Sequence, residues 1–256
     1  MRQNLRRKRK RDHDSVMKIL HFDSLESTNK YCELLDPKSL EEFTVVCAHE
    51  QTAGKGQRGN TWFSEPYKNL TFSVILNPTF IAAADQYNLT MCLALAVAET
   101  IDLYCGKKRA QIKWPNDIYV DGKKICGILT SSSISNGYLS QSICGIGLNV
   151  NQTIFPDWIP NPTSIKLLTN KDTDTNKVLE SFLSNLQRLY LVTKNDAEVI
   201  KKSYLGRLYR LDKTARYKYI GKEIEATIRA IDQFGHLRLE HNGAEIVCDL
   251  KEVMFL

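Results

Sequence analysis

Much of the usual equipment for chemistry is missing from this 256-residue chain. No C-x-x-C pair occurs, and the seven cysteines (Cys32, Cys47, Cys92, Cys105, Cys126, Cys144 and Cys248) are odd in number and scattered. That pattern argues against a disulfide framework and a zinc site, and for reduced thiols in a cytoplasmic protein. No apolar run approaches the roughly 20 residues needed to span a bilayer, and no signal-peptide pattern appears. The longest such run, 91–98, reads as a buried helix. The Walker spacing G-x-x-x-x-G-K-[ST] is absent, as are internal repeats and low-complexity linkers. So is a helix-turn-helix, which argues against a DNA-reading module.

Charge of one sign is also scarce once the first residues are set aside. The total is +6, and residues 1–16 hold seven bases (Arg2, Arg6, Arg7, Lys8, Arg9, Lys10, Arg11) against Asp12 and Asp14, a net of +5. Only +1 remains for the rest. Such an arm reads as disordered, and is either a nucleic-acid or nuclear-import element or an upstream extension without a catalytic role. Met17-Lys18-Ile19-Leu20, a natural start before the first strand, favours the extension. Hydrophobic content of 43% and charged content of 25% are those of ordinary globular proteins. The length allows one large domain plus a small one.

What is present is a mixed succession of strands and helices. A short strand at 19–22 precedes a helix capped by Ser27 and running to about residue 35. Strands follow at 43–48 and 69–76. Leu89, Cys92, Leu93, Ala96 and Val97 recur at helical spacing inside 85–104, and the apolar residues between them predict a helix buried on most sides. Strands at 109–114, 117–120, 123–133 and 138–150 complete a sheet. Helices come next at 175–193, with Leu179, Phe182, Leu183, Leu186 and Leu189 on one face, and at about 196–206. Beyond residue 210 the period changes to polar–apolar alternation at 223–230, with a turn at Gln233-Phe234-Gly235, a return at 236–240, and an Asn242-Gly243 hairpin before 244–250. These short strands predict a small barrel.

Two segments carry functional signal. Lys113-Trp114-Pro115-Asn116-Asp117 joins a base, an aromatic, a turn-forming proline and an amide–carboxylate pair, none of which is expected to serve the core. A hairpin through Asp121-Gly122 then returns Lys124 toward Asn116 and Asp117, an arrangement suited to an anionic ligand. The second segment, Gln51 to Trp62, holds Gly54, Lys55, Gly56, Gln57, Arg58 and Gly59. It reads as a flexible loop whose amides and cations can wrap phosphate or carboxylate oxygens. It is no dinucleotide fingerprint, because a strand rather than a helix follows.

Together with Glu26-Ser27-Thr28-Asn29, Lys124-Ile125-Cys126-Gly127-Ile128-Leu129 and Gly145-Ile146-Gly147-Leu148-Asn149-Val150-Asn151, these segments resemble the biotin–protein ligases of the short type, without a DNA-binding domain. The resemblance runs from about residue 17 onward. It implies an α+β fold: a mixed-sheet catalytic domain related to class II aminoacyl-tRNA synthetases at 17–208, and an SH3-like barrel at 209–256. It also implies biotin and ATP as substrates, with Mg²⁺ on the phosphates and no metal ligand identified in the protein. Biotinyl-AMP would form with release of pyrophosphate, and biotin would then pass to a lysine of a biotin carboxyl carrier domain. No covalent enzyme intermediate is needed, in keeping with the missing Ser-His-Asp or Cys-His arrangement.

By the same resemblance Lys124 touches both the biotin carboxylate and the α-phosphate. Lys55, Arg58 and Lys113 add charge, while Gly54, Gly56, Trp62, Asn116 and Asn149 belong to the adenylate site. Ser27, Thr28 and Gln51 match the partners of the ureido group, and Gly127, Leu129, Gly145 and Gly147 match the ring pocket. Gly145 and Gly147 also read as plain strand bulges. Asp117 reads either as acceptor of the lysine proton or as anchor of the Asn116 turn. Two departures stand out: Gln57 replaces an arginine of many members, and the ending Val253-Met254-Phe255-Leu256 lacks the basic residue some place there. The second leaves open any contact from the barrel to the ATP phosphates. A lipoate–protein ligase and a basic-armed regulator retaining the ligase fold are the alternative readings. Edge-strand pairing is the expected mode of carrier docking, or of dimerisation.

Overall fold

The computed structural model describes residues 17–36, 40–107 and 109–256. The basic arm thus lies outside the described residues. Seven strands form the larger sheet: β1 (Ile19–Leu25), β2 (Val45–Gln51), β3 (Leu70–Leu76), β4 (Ala110–Lys113), β5 (Asp117–Val120), β6 (Lys123–Ser135) and β7 (Tyr138–Leu148). Their order across the sheet is β1-β2-β3-β7-β6-β5-β4. β1 and β2 are parallel and every other pair is antiparallel, which makes the sheet mixed, as expected.

Both faces of the sheet centre are covered, and this explains the unbroken apolar runs of β2 and β3. Val45, Cys47, Phe72, Val74 and Leu76 point into the main core, while Val46 and Ile75 point into a smaller one with Cys32, Leu40 and Ile143. Helix α1 (Thr28–Leu34) covers the smaller core; Ser27 is its N-cap, as expected. The main core is covered by α2 (Tyr87–Cys105), with α3 (Ile165–Thr169), α4 (Thr175–Asn195) and α5 (Ala197–Leu205) around it. The segment Ala83–Cys105 is long and apolar enough to cross a membrane, yet 67% of its most apolar window is buried inside the protein. Here the all-round hydrophobicity of α2 makes it a central helix, packed against α4 and α5.

A second, five-stranded antiparallel sheet follows: β8 (Thr214–Tyr219), β9 (Lys222–Ile231), β10 (Leu237–His241), β11 (Ala244–Cys248) and β12 (Val253–Phe255), in the order β11-β10-β9-β8-β12. It is compatible with the SH3-like unit expected there. Two of its strands escape a reading of sequence pattern. β8 is rich in charge and has only Tyr217 fully buried, and β12 is three residues held by pairing with β8. Strand β2 starts later than expected, at Val45, because Phe43 has a left-handed backbone (φ 64°). It also runs on to Gln51, which delivers that side chain to the site.

Candidate active site

The site lies where β2, the glycine-rich loop, β5, β6 and β7 meet the start of α1. Its floor is an inner cavity of ≈ 50 Å³ lined by Ser27, Thr28, Asn29, Gln51, Gly127, Leu129, Gly145 and Gly147, among others. Two outer cavities, ≈ 550 and ≈ 310 Å³, open beside it. Trp62 borders all three.

The inner cavity is polar at one end through a connected set of side chains. The Thr28 amide donates to Gln51 Oε1 at 2.8 Å, and the Thr28 hydroxyl reaches the same oxygen at 3.3 Å. Ser73 Oγ lies 2.7 Å from Thr28 Oγ1 and 2.6 Å from Asn29 Oδ1, while Asn29 Nδ2 donates to the Leu129 carbonyl at 3.1 Å. Since Gln51 Oε1 is engaged, its amide nitrogen is the group left for a ligand acceptor. Ser27 Oγ accepts a long 3.5 Å bond from the Lys30 amide, and a hydroxyl can still donate elsewhere. Asn29 and Ser73 are site residues that composition and spacing did not single out; Ser73 on a fully buried strand carries no sequence signal at all.

Gly145 and Gly147 are ordinary partners in the β3–β7 and β6–β7 ladders, not bulges. A Cβ on Gly145 would sit 2.3 Å from Asn29 Oδ1, and one on Gly147 would sit 2.3 Å from the Trp62 indole. Close approach, rather than backbone freedom, therefore requires glycine here. The indole occupies the space over Gly127 and Gly147, and its buried Nε1 has no hydrogen-bond partner among the described residues.

The glycine-rich segment is a loop closed by backbone hydrogen bonds. Trp62 N donates to the Gly54 carbonyl (2.9 Å) and Gly56 N to the Asn60 carbonyl (2.7 Å), with a tight 3-10 turn at Gln57–Gly59. Lys55 and Gln57 border the inner cavity. The Arg58 side chain lies outside the described part of the structure.

The hairpin forms as expected, with one refinement. A β-bulge between β5 and β6 sets Lys124 opposite Tyr119, and the Lys124 ammonium reaches diagonally to Asp117 Oδ1 at 2.7 Å. Its backbone is clamped on the other side: Lys124 N donates to the Asn161 carbonyl and Thr163 N to the Lys124 carbonyl. Asn116 anchors its own turn, since Nδ2 donates to the Ile128 carbonyl (2.6 Å) and the Ile128 amide returns a bond to the Asn116 carbonyl (2.9 Å). Asp117 is thus engaged by Lys124 and is not what holds that turn. Trp114, expected to contribute nothing to the core, is in fact buried, and its Nε1 donates to the Gly235 carbonyl at 2.8 Å. The motif therefore also joins the two sheets.

The larger outer cavity is lined by Lys113 and Lys124 from the main sheet and by Lys218, Lys251, Glu252 and Phe255 from the second. Missing a basic residue at 253–256 therefore does not leave that sheet without cations at the cleft. Burial, foremost, lowers the Lys113 pKa, and Lys124 and Arg210 push it the same way against Asp117. The other outer cavity is apolar at its rim, where Phe63 and Trp158 meet edge to face with ring centres 6.0 Å apart. Asn149 forms part of its wall. Its Nδ2 donates to the Thr163 carbonyl (2.9 Å), which turns Oδ1 away, buried and without a partner among the described residues.

A model of the biotin/lipoate A/B protein ligase family matches residues 21–149. The chain belongs to that family. It is 31% identical over 238 residues to the biotin–[acetyl-CoA-carboxylase] ligase of Paracoccus denitrificans, covering 90% of this chain and 97% of that protein. With the bifunctional ligase/repressor BirA of Bacillus subtilis it shares 34% identity over 175 residues, 67% of this chain and 53% of that one. The chain thus spans about half the length of that relative. Its fold is similar to that of the biotin protein ligase of Aquifex aeolicus in complex with biotin and ATP, with a TM-score of 0.78, 24% identity, and coverage of 93% and 97%.

Proposed function

We propose that this chain is an ATP-dependent biotin–protein ligase that forms biotinyl-AMP and transfers biotin to a lysine of a carboxyl carrier domain. One observation carries the reading: the Lys124–Asp117 pair stands at the junction of a polar-ended inner cavity and a cation-lined cleft. A carboxylate from the first and a phosphate from the second can meet beside the Lys124 ammonium.

In the first half-reaction a biotin carboxylate oxygen attacks the α-phosphorus and displaces pyrophosphate. The obstacle is electrostatic, because two anions approach and charge builds on the phosphoryl oxygens. Lys124 offsets that charge from a fixed position, with Lys55, Lys113 and Arg58 as further cations. In the second half-reaction the acceptor amine attacks the anhydride carbonyl and AMP leaves, with Asp117 taking the amine proton. The ureido group of biotin faces Ser27, Thr28 and the free amide nitrogen of Gln51. Its rings lie against Gly127, Leu129, Gly145 and Gly147 once the Trp62 indole moves outward, since ≈ 50 Å³ is too little for a bicyclic ligand. Adenine enters the apolar outer cavity against Trp158 and Phe63, with its amino group toward Asn149 Oδ1. The polar set Ser27–Thr28–Asn29–Gln51 favours biotin over lipoate, which has no ureido group.

Mg²⁺ fits this site as a passenger on the triphosphate. Asp117 and Glu252 are the only carboxylates lining the three cavities, and among the described residues no cluster of three His, Cys, Asp or Glu is present. When bound, the ion neutralises phosphate oxygens. We assign residues 17–208 to the ligase unit and 209–256 to an accessory barrel that completes the cleft. Seven free, buried cysteines fit a reducing compartment such as the cytoplasm. The test is pyrophosphate release from ATP with biotin or lipoate in parallel, for wild type and Lys124→Ala. Release with biotin, abolished in the variant, is expected; release with lipoate alone overturns the pocket assignment.

A further inference from the structure

Lys113 makes no direct ion pair with a carboxylate among the described residues, although Asp117 acts on it from a distance. In the β4–β5 ladder it stands opposite Asp117, but Asp117 is bonded to Lys124, and among the described residues no acid forms an ion pair with Lys113. The groups directly against its ammonium are aromatic. Nζ lies 3.1 Å from the Tyr119 hydroxyl, 4.7 Å from the centre of the Tyr119 ring and 5.1 Å from the centre of the Phe255 ring. A ring face attracts a cation through its quadrupole and neutralises none of its charge. The tyrosine oxygen takes one of three ammonium hydrogens, which leaves two.

Phe255 comes from the other sheet and is held there by packing and register. β12 pairs Phe255 with Tyr217, and the alternation along the strand turns Met254 to solvent and Phe255 inward. Tyr217 meets the Phe255 ring edge to face at 5.2 Å, and Tyr209 stacks beside it at 6.5 Å. Tyr209 in turn lies 5.6 Å from Tyr119. A continuous aromatic set therefore runs from the second sheet to the first, with Lys113 on its face. Both Lys113 and Phe255 line the outer cleft that holds Lys124, Lys218 and Lys251.

We propose that Phe255 is a positioning residue for the nucleotide: its ring face holds Lys113 in the cleft with its charge intact for a phosphate group. A carboxylate in that place would position the lysine equally well but would compete with the phosphates. The proposal rests on the ligase reading for the identity of the anion. It makes the second sheet part of the nucleotide site through a side chain that acts by way of Lys113.

The test compares Phe255→Leu, which keeps apolar bulk, with Phe255→Tyr, which keeps the ring face, in the full chain. ATP and biotin affinities are measured separately by titration calorimetry, beside pyrophosphate release. Phe255→Leu is expected to weaken ATP binding by about 2- to 30-fold, the range of a partly desolvated cation–π contact. Biotin affinity should stay at the wild-type value, which also reports an intact fold, and Phe255→Tyr should bind ATP as wild type does. Unchanged ATP affinity in Phe255→Leu overturns the proposal, as does an equal loss in Phe255→Tyr. Wild type that binds ATP but releases no pyrophosphate with biotin instead overturns the ligase reading and leaves the Phe255 comparison standing.

Discussion

Lys124 Nζ and Asp117 Oδ1 are 2.7 Å apart, with the two side chains only 30% and 22% exposed. A pair this sheltered keeps the ammonium in one place, unlike a solvated surface lysine. Lys124→Ala should therefore lower pyrophosphate release by about 10²- to 10³-fold, the usual effect of removing a fixed group that stabilises developing charge. Asp117→Asn keeps a hydrogen-bond acceptor for Lys124 but cannot take a proton. It should slow transfer to the carrier lysine more than adenylate formation, as read by single-turnover transfer from preformed biotinyl-AMP.

Gly147→Ala would place a methyl 2.3 Å from the Trp62 indole, and the indole must shift. The substitution should cost about 1–3 kcal/mol of stability, as overpacking does, and weaken biotin binding as well. Urea unfolding and a biotin titration of the same variant check both.

Lys113 has a pKa lowered from the ordinary 10.5, chiefly by burial, with Lys124 and Arg210 acting the same way and Asp117 opposing. Tyr119 is its hydrogen-bond partner, and Lys218, Lys251 and Glu252 face the same cleft. Phosphate binding needs the charged ammonium, so ATP affinity should fall as pH rises through this lowered value, before an ordinary lysine would titrate. Lys113→Arg stays charged and should move that alkaline limb upward in an affinity–pH profile. Stability of the free protein carries the opposite sign. The unfolded chain binds the proton more tightly, so stability gains with pH between the lowered value and 10.5.

Asn149 Oδ1 is a buried acceptor without a hydrogen-bond partner among the described residues. Adenine supplies one in its exocyclic amine, whereas guanine presents an oxygen at that position. ATP should be used in clear preference to GTP, and the triphosphate of purine riboside, which lacks the amine, should bind about 5- to 50-fold more weakly than ATP. Competition against ATP in the pyrophosphate assay decides this.

All seven cysteines are free and buried, and burial raises their thiol pKa values, to about 11 at Cys105 and Cys248 and about 12 at Cys32, Cys47 and Cys92. Little thiolate exists at neutral pH, so iodoacetamide should label the native chain slowly and reach all seven sites in denaturant, as counted by mass spectrometry.

Much of the cavity wall was legible because its residue types serve no purpose in a core. Lys55, Lys113, Asn116, Asp117 and Lys124 do border the cavities, and the hairpin turn at Asp121-Gly122 brings Lys124 back as its spacing demands. Ser73, Trp158, Lys218 and Phe255 were not legible. Each reaches the site from an element distant in sequence or, like β8 and β12, from a strand whose pattern is too short or too polar to announce itself. Trp114 was misread because a tryptophan in a turn motif gives no hint that a carbonyl of another sheet, at Gly235, will accept its N–H.

By itself the sequence determined the local elements and their chemistry: the Ser27 cap, the all-apolar α2, the alternating strands of the second sheet, and which charged and glycine residues stand close together along the chain. Those features depend on backbone preferences and burial periods that act over a few residues. Tertiary structure decided which carboxylate pairs with Lys124, why a side chain at Gly145 or Gly147 would displace Asn29 or Trp62, and that Lys113 faces rings from two sheets. Such relationships depend on contacts between residues far apart in the chain, whose distances are fixed only when the two sheets close on each other.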